Sequence, residues 1–136
     1  MVYIWTMQPA VTASSRGLSA PAVRALTNIA TAWGMDLAEQ RAALGGVSRQ
    51  TIYNWRQHPD RARLSDDQLD RISCLLGIYK ALHILFTRPE QADSWIRRPN
   101  SSVPFGGRPA ADLLFSGRML DLIRVRRYLD GARGAW

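Results

Sequence analysis

Residues 42–57, which read AALGGVSRQTIYNWRQ, decide the fold of this chain. The small residue Ala42 is followed four positions later by Gly46, a spacing typical of a helix crossing and a turn with a left-handed backbone. One apolar residue in the turn and two on the inner face of the second helix complete the pattern: Val47, Ile52 and Trp55. This spacing predicts a helix-turn-helix unit. It departs from the usual pattern at Gly45, where a large apolar residue is common.

The outward face of the second predicted helix carries polar and basic side chains. Arg can pair with guanine in the major groove of DNA, and Asn and Gln can pair with adenine. Hydroxyl groups at the amino end of the helix can bind phosphates. The expected DNA-binding residues are Ser48, Arg49, Gln50, Thr51, Tyr53, Asn54, Arg56 and Gln57. The alternative is a solvated polar face on a helix that packs for structural reasons only.

The segments before this unit are expected to be a loose arm and one helix. Residues 1–19 mix apolar and small polar side chains, which is typical of a poorly ordered terminus. Ser19, followed by Pro21, has the chemistry of a helix N-cap with proline in the first turn. We therefore expect an arm over residues 1–19 and a helix-turn-helix domain over residues 20–64.

The segments after the unit are predicted to be helical too. Ser65 precedes Gln68 by three residues, the spacing of a capping box, and opens a central core helix over residues 65–87. The three prolines of residues 99–109 indicate either an ordered loop or a linker, and a last helix follows over residues 118–131. No strand-like alternation of useful length occurs, so the predicted fold class is all-α.

Composition favours a binding protein over an enzyme. The chain has 136 residues and a net charge of +7, with 18 Lys and Arg against 11 Asp and Glu. All but one of these basic residues are Arg, which suits polyanion recognition, although GC-rich codon usage gives the same bias. The single cysteine, Cys74, rules out a disulfide within the chain. The sequence has no P-loop, dinucleotide fingerprint or nucleophile elbow, so no catalytic residue, cofactor or metal is expected.

The hydropathy pattern predicts a cytoplasmic protein without a membrane partner. No segment reaches the ~18 consecutive apolar residues of a membrane-spanning helix. The first seven residues are too short and too uncharged for a secretory signal.

Two short motifs in the second half, taken in order after the helix-turn-helix, carry a family resemblance. They are Arg-Pro-Asn at residues 98–100 and Gly-Gly-Arg-Pro at residues 106–109. Over about residues 20–136 the chain resembles the Xre/MbcA/ParS antitoxins, the partners of RES-domain toxins. The resemblance implies a helix-turn-helix DNA-binding module followed by a helical toxin-binding module over residues 88–136.

The same resemblance implies a function. The protein would be an antitoxin of a type II toxin-antitoxin system that blocks the active site of a RES-type, NAD-degrading toxin. It would also bind operator DNA and repress its own operon. A single helix-turn-helix reads only a short site, so a homodimer within a toxin-antitoxin hetero-oligomer is expected.

The last helix has the composition of a protein interface, which is rich in Arg, Met, Tyr and Trp. The expected toxin-binding residues are Arg108, Met119, Leu122, Arg126, Tyr128, Leu129, Arg133 and Trp136. For Met119, Leu122 and Leu129 plain core packing is the alternative, and for Trp136 an exposed, frayed terminus. For the whole chain, the alternative is a stand-alone repressor whose second half only dimerises. A small enzyme acting on nucleic acid would need a carboxylate cluster or metal ligands that the sequence does not supply.

Overall fold

The computed structural model describes the backbone of residues 8–134 and the side chains of residues 17–134. Within that range the chain is helical and has no strand, so the predicted all-α class is confirmed. Two 3-10 turns, Pro59–Arg61 and Trp95–Arg97, accompany the α-helices. The helices are α1 (Gln8–Trp33), α2 (Leu37–Ala43), α3 (Arg49–Gln57), α4 (Asp66–Leu85), α5 (Pro89–Ser94), α6 (Ala111–Leu114) and α7 (Met119–Ala132).

Helix α1 begins earlier than the sequence predicts. It starts at Gln8, so residues 8–19 are helical instead of forming a loose arm, and the expected start at Ser19 is wrong. Ser19 is 1% exposed, and its hydroxyl oxygen accepts a hydrogen bond from the Leu64 backbone N–H at 3.1 Å, so it serves a tertiary contact instead of a cap. Pro21 lies inside the helix, where it removes one backbone hydrogen bond. The first seven residues of the expected arm lie outside the described residues.

Side-chain caps fix where several helices begin. Asp36 and Glu39 form a capping box at α2, with N···O distances of 2.8 and 3.1 Å. The Ser48 hydroxyl oxygen accepts from a backbone N–H of the first turn of α3. Ser65 and Gln68 form the predicted capping box at α4, at 2.8 and 3.1 Å. Each cap satisfies backbone donors that the helix itself leaves unpaired.

The helices share one hydrophobic core centred on α4. Helix α4 packs against α1 on one side and against α7 on the other. Its largest fully buried side chains are Ile72, Leu75, Ile78 and Leu82. The helix-turn-helix half and the second half are therefore joined through the same helix. In the part of the chain that the structure describes, no helix is both long and apolar enough to cross a bilayer.

The proline-rich segment of residues 99–109 is an ordered loop, which settles the alternative left open by the sequence. Pro99 and Pro109 face each other in an antiparallel bridge. Between them, the Gly107 N–H donates to the Asn100 carbonyl at 2.8 Å, and the Asn100 N–H donates to the Arg108 carbonyl at 3.3 Å. Both motifs of the resemblance thus build one closed loop.

Candidate functional site

The turn between α2 and α3 has the geometry that the sequence predicts. Gly46 has a φ of 103°, the left-handed backbone expected there. Ile52 and Trp55 are buried, so the inner face of α3 is also confirmed. Gly45 has a φ of 83°, and the Arg71 guanidinium lies 3.1–3.3 Å from where a Cβ would be placed on it. The guanidinium of α4 therefore covers the position where the usual apolar side chain is missing.

The outward face of α3 presents hydrogen-bonding groups to solvent. The Gln50 side-chain amide donates to the side-chain oxygen Oδ1 of Asn54 at 3.0 Å, which leaves the Asn54 NH₂ free to donate outward. The hydroxyl oxygens of Ser48 and Thr51 lie 2.8 Å apart at the amino end of the helix. The exposed side chains of this face are Arg49, Gln50, Tyr53, Asn54 and Gln57.

Arg56, another predicted DNA-binding residue, makes a contact between helices. Its guanidinium donates to the Gln40 side-chain oxygen at 2.9 Å. Gln40 is buried, and its amide in turn donates to the Met35 carbonyl at 3.1 Å. Arg56 thus links α3 to α2, and it also lies next to the polar outward face of α3.

A groove runs along the carboxyl end of α3 towards the start of α4. Thr51, Asn54 and Gln57 line one wall, and Arg61, Arg63 and Gln68 contribute from the connection and from α4. Arg61 and Arg63 are exposed, and neither forms an ion pair within the described residues. The groove therefore extends the polar face of α3 with positive charge.

Two of the predicted toxin-binding residues cannot contact a partner in this fold. Leu122 and Leu129 are each 1% exposed and belong to the core between α7 and α4. Met119 is half-buried and packs against the same core. The alternative of plain core packing therefore holds for these three side chains, and the assignment of Leu122 and Leu129 to the partner surface is wrong.

Tyr128 lies in an aromatic cluster beneath the loop of residues 99–109. Its ring stacks on Trp95 at a centroid distance of 6.3 Å and meets Phe105 edge-on at 5.0 Å. Its hydroxyl donates to the Ser102 hydroxyl oxygen at 3.3 Å. This predicted toxin-binding residue holds the loop against α7.

Two predicted arginines, Arg126 of α7 and Arg133 directly after it, are engaged within the protein. The Arg126 guanidinium lies directly over Gly77 of α4, so closely that a Cβ there would collide with it. Arg126 and Arg133 both lie near Asp130, with N···O distances of 3.4 and 3.8 Å. Gly77 is therefore needed for the close approach of the Arg126 side chain.

The two remaining predicted residues are Arg108 and Trp136. Arg108 is exposed in the loop of residues 99–109 and pairs with Asp112 at 2.5 Å. Trp136 lies outside the described residues.

The sequence prediction missed the outward stripe of α7. Leu120 is 62% exposed, and Arg124 and Arg127 follow it on the same face at i+4 and i+7. Ile123 flanks this stripe and is half-buried. The signal was present in the sequence, because a helix that buries residues 122, 125 and 129 must expose this side.

Arg97 joins the second half of the chain to the helix-turn-helix half. It donates to both carboxylate oxygens of Glu39 in α2, at 2.6 and 2.9 Å, and to the backbone carbonyls of Trp33 and Gly34, at 3.0 and 3.2 Å. The hydrogen bond from Arg97 lowers the pKa of Glu39 below its usual value, and the same bond raises the pKa of Arg97. Both groups are therefore held in their charged forms.

Comparisons with known proteins match both halves of the chain. The family described as Antitoxin Xre-like helix-turn-helix domain matches residues 9–77, and the family described as Antitoxin Xre/MbcA/ParS C-terminal toxin-binding domain matches residues 81–134. A protein of Sinorhizobium fredii (strain NBRC 101917 / NGR234), described as Uncharacterized protein y4oB, is 42% identical over 122 residues, which are 89% of this chain and 92% of that protein. With the turn, helix α3 and the second helical half in matching order, this chain belongs to the Xre/MbcA/ParS family of antitoxins.

Proposed function

We propose that this antitoxin inhibits a RES-type, NAD-degrading toxin by covering its active site, and that it represses its own operon by binding operator DNA. The observation that carries the proposal is the presence of two modules on one core: a helix-turn-helix within residues 9–77 and a toxin-binding domain within residues 81–134. Both activities require the cytoplasm, where the toxin's substrate and the operon are found.

The DNA-binding step rests on the outward face of α3. Arg49, Gln50 and Asn54 project from a helix whose inner side is fixed by Ile52 and Trp55. A rigid helix with Arg, Gln and Asn on its free side matches the way recognition helices read base edges in the major groove. Because one such helix covers only a short site, we propose that a homodimer binds a two-fold operator.

The RES class of the partner rests on the two sequence motifs that form the closed loop. The Arg-Pro-Asn and Gly-Gly-Arg-Pro motifs resemble those of antitoxins that neutralise RES toxins. In this chain they pair within the loop of residues 99–109, which α7 supports through Tyr128. The loop and α7 thus form one surface unit to which the partner can bind.

Co-expression tests the toxin-binding half of the proposal. The RES-domain protein encoded beside this chain should arrest growth when expressed alone, and simultaneous expression of this chain should restore growth. Deleting the last 15 residues is not a clean test, because the deletion removes Leu122, Val125 and Leu129 from the core. If the intact chain fails to restore growth, or if no RES-domain protein is encoded there, the toxin assignment is wrong.

A gel-shift assay with the promoter fragment of the operon tests the DNA-binding half. The intact chain should retard the promoter fragment at concentrations at which it leaves an unrelated fragment of equal length unbound. Rescue of growth together with no promoter binding would leave an antitoxin without autoregulation. Promoter binding without rescue would favour a stand-alone repressor.

A further inference from the structure

The outward stripe of α7 is an unusual surface for a helix that stabilises the core. On the inner side, Leu122, Val125 and Leu129 are fully buried against α4. On the outer side, Leu120 is more exposed than most apolar side chains of the second half, and it lies one helical turn from Arg124. The structure does not need an exposed leucine at this position, since the core is complete without it.

The charge of the stripe is positive and largely uncompensated. Among the described side chains, those of residues 17–134, Arg127 forms no ion pair or hydrogen bond. Arg124 has only a 3.3 Å contact with Asp121, and its side chain is 55% exposed. The next carboxylate on the helix, Asp130, lies near Arg126 and Arg133 instead. Arg127 is therefore available to an acidic partner.

An exposed leucine next to an arginine without an ion pair is typical of a protein–protein interface, which has an apolar centre and a polar rim. Arg is enriched at protein interfaces, and an exposed apolar side chain gains most from burial by a partner. A DNA backbone would use Arg124 and Arg127 but would gain nothing from Leu120, and the neighbouring Asp121 would repel it. The combination favours a protein partner over a nucleic acid.

We propose that this stripe, made up of Leu120, Ile123, Arg124 and Arg127, docks the toxin. The complementary toxin surface is an apolar pocket for Leu120 flanked by carboxylates that pair with the two arginines. This inference rests on the proposed function and on the match of residues 81–134 to a toxin-binding domain. It assigns the contact to the face of α7 opposite the buried Leu122 and Leu129.

A charge introduced at Leu120, a charge reversal at Arg127 and one control variant test the assignment. The full chain carrying Leu120→Glu, or Arg127→Glu, should bind the purified RES-domain protein at least about tenfold more weakly than the wild type, as is typical of central interface residues. The control is Arg118→Glu, which makes the same charge change as Arg127→Glu at an exposed residue just before α7, without an ion pair in the described chain. This control should bind within about twofold of the wild type. Circular dichroism should show the same helix content in every variant, and Leu120→Ala supplies a milder replacement if Leu120→Glu unfolds.

The outcomes separate this inference from the proposed function. If the wild-type chain does not bind the RES-domain protein, the proposed function fails and the docking surface fails with it. If the wild type binds and the Leu120 and Arg127 variants bind within about threefold of it, only the docking surface is overturned. Loss of promoter binding by Arg127→Glu without loss of toxin binding would also overturn the docking surface. The same holds if the toxin-free Leu120→Glu variant changes its oligomeric state while its toxin affinity is unchanged.

Discussion

Arg71 contacts several residues at the junction between the helix-turn-helix half and the second half. Its guanidinium donates to Asp67 at 2.8 Å and to the Gly117 carbonyl at 3.1 Å, just before α7. It also covers Gly45 in the helix-turn-helix turn, and only 10% of its side chain is exposed. A planar group with several donors suits this position, because three neighbours approach it from different directions.

Arg71→Ala should lower the free energy of unfolding by about 2–4 kcal/mol, since it opens a cavity and leaves the Gly117 carbonyl without its donor. Arg71→Lys should lose less but not recover the wild-type value, because an ammonium group cannot reproduce the guanidinium fork. Urea denaturation measures both variants. Arg127→Ala, at an exposed residue of α7, is the control and should stay within about 0.5 kcal/mol of the wild type. Equal stability of Arg71→Ala and Arg127→Ala would contradict this role.

Glu39 gives the protein an acid-sensitive contact. Arg97 lowers the pKa of Glu39 in the folded state, so the carboxylate contributes stability above its unfolded pKa of about 4.3. This contribution is lost as the pH falls through the lowered, folded value. Glu39→Gln keeps an oxygen for the Asp36 backbone N–H but cannot ionise, so stability should fall less steeply below about pH 5.

Denaturation series between about pH 6 and about pH 3 measure this effect. Glu90→Gln is the matched control, because Glu90 is exposed and forms no ion pair in the described part of the chain. The control should follow the wild-type pH dependence. An unchanged slope in Glu39→Gln would show that the contact with Arg97 does not stabilise the folded state.

At the scale of the element, α3 carries the proposed base-reading face on one side and the residues that anchor the helix on the other. Its inner side chains, Ile52 and Trp55, belong to the core, and Arg56 is bonded to Gln40 of α2. Arg49 and Asn54 lie on the exposed face, where their side chains can reach a base edge. The helix is thus fixed on one side and available on the other.

Replacing Arg49 or Asn54 with Ala should cost about 1–3 kcal/mol of binding at one operator base pair and relax specificity at that position. Arg56→Ala is the informative comparison. Because it removes the hydrogen bond to Gln40, it should mainly lower the free energy of unfolding and have less effect on base preference. Binding assays on a set of operators with single base-pair changes distinguish the two effects. Uniform weakening across the set by Arg49→Ala and Asn54→Ala would mean that these residues contact only phosphates.

The elements show which features were predictable from local sequence. The capping box at Ser65, the turn at Gly46 and the last helix depend on residues within a few positions of one another, and all three are observed. The start of α1 was predicted wrongly because Ser19 bonds to Leu64, 45 residues away, a contact that no local pattern reveals. Leu122 and Leu129 were wrongly assigned to the partner surface because the packing of α7 against α4, which local sequence does not reveal, decides which of its apolar residues are buried.

At the scale of the whole molecule, the two proposed functional surfaces rest on a single core. Helix α4 packs against both α1 and α7, and Arg71 and Arg97 join the helix-turn-helix half to the second half. A domain with one core unfolds cooperatively. The chain should therefore behave as one unit, although different families match its two halves.

Val125→Ala should destabilise this unit as a whole by about 2 kcal/mol, because it leaves a cavity between α7 and α4. Thermal unfolding followed by tryptophan fluorescence and by circular dichroism should give one coincident transition in both the wild type and the variant, with a lower midpoint in Val125→Ala. Two separated transitions, only one of them shifted by the substitution, would mean that the halves fold independently.

The central claim is that one small helical protein inhibits an NAD-degrading enzyme through its second half, and NAD consumption by the purified RES-domain protein tests it most directly. Titration with the intact chain should reduce the rate of NAD loss to background near stoichiometric amounts, and Arg118→Glu should inhibit equally well. Undiminished NAD loss in the presence of a large excess of folded, wild-type chain would contradict the account.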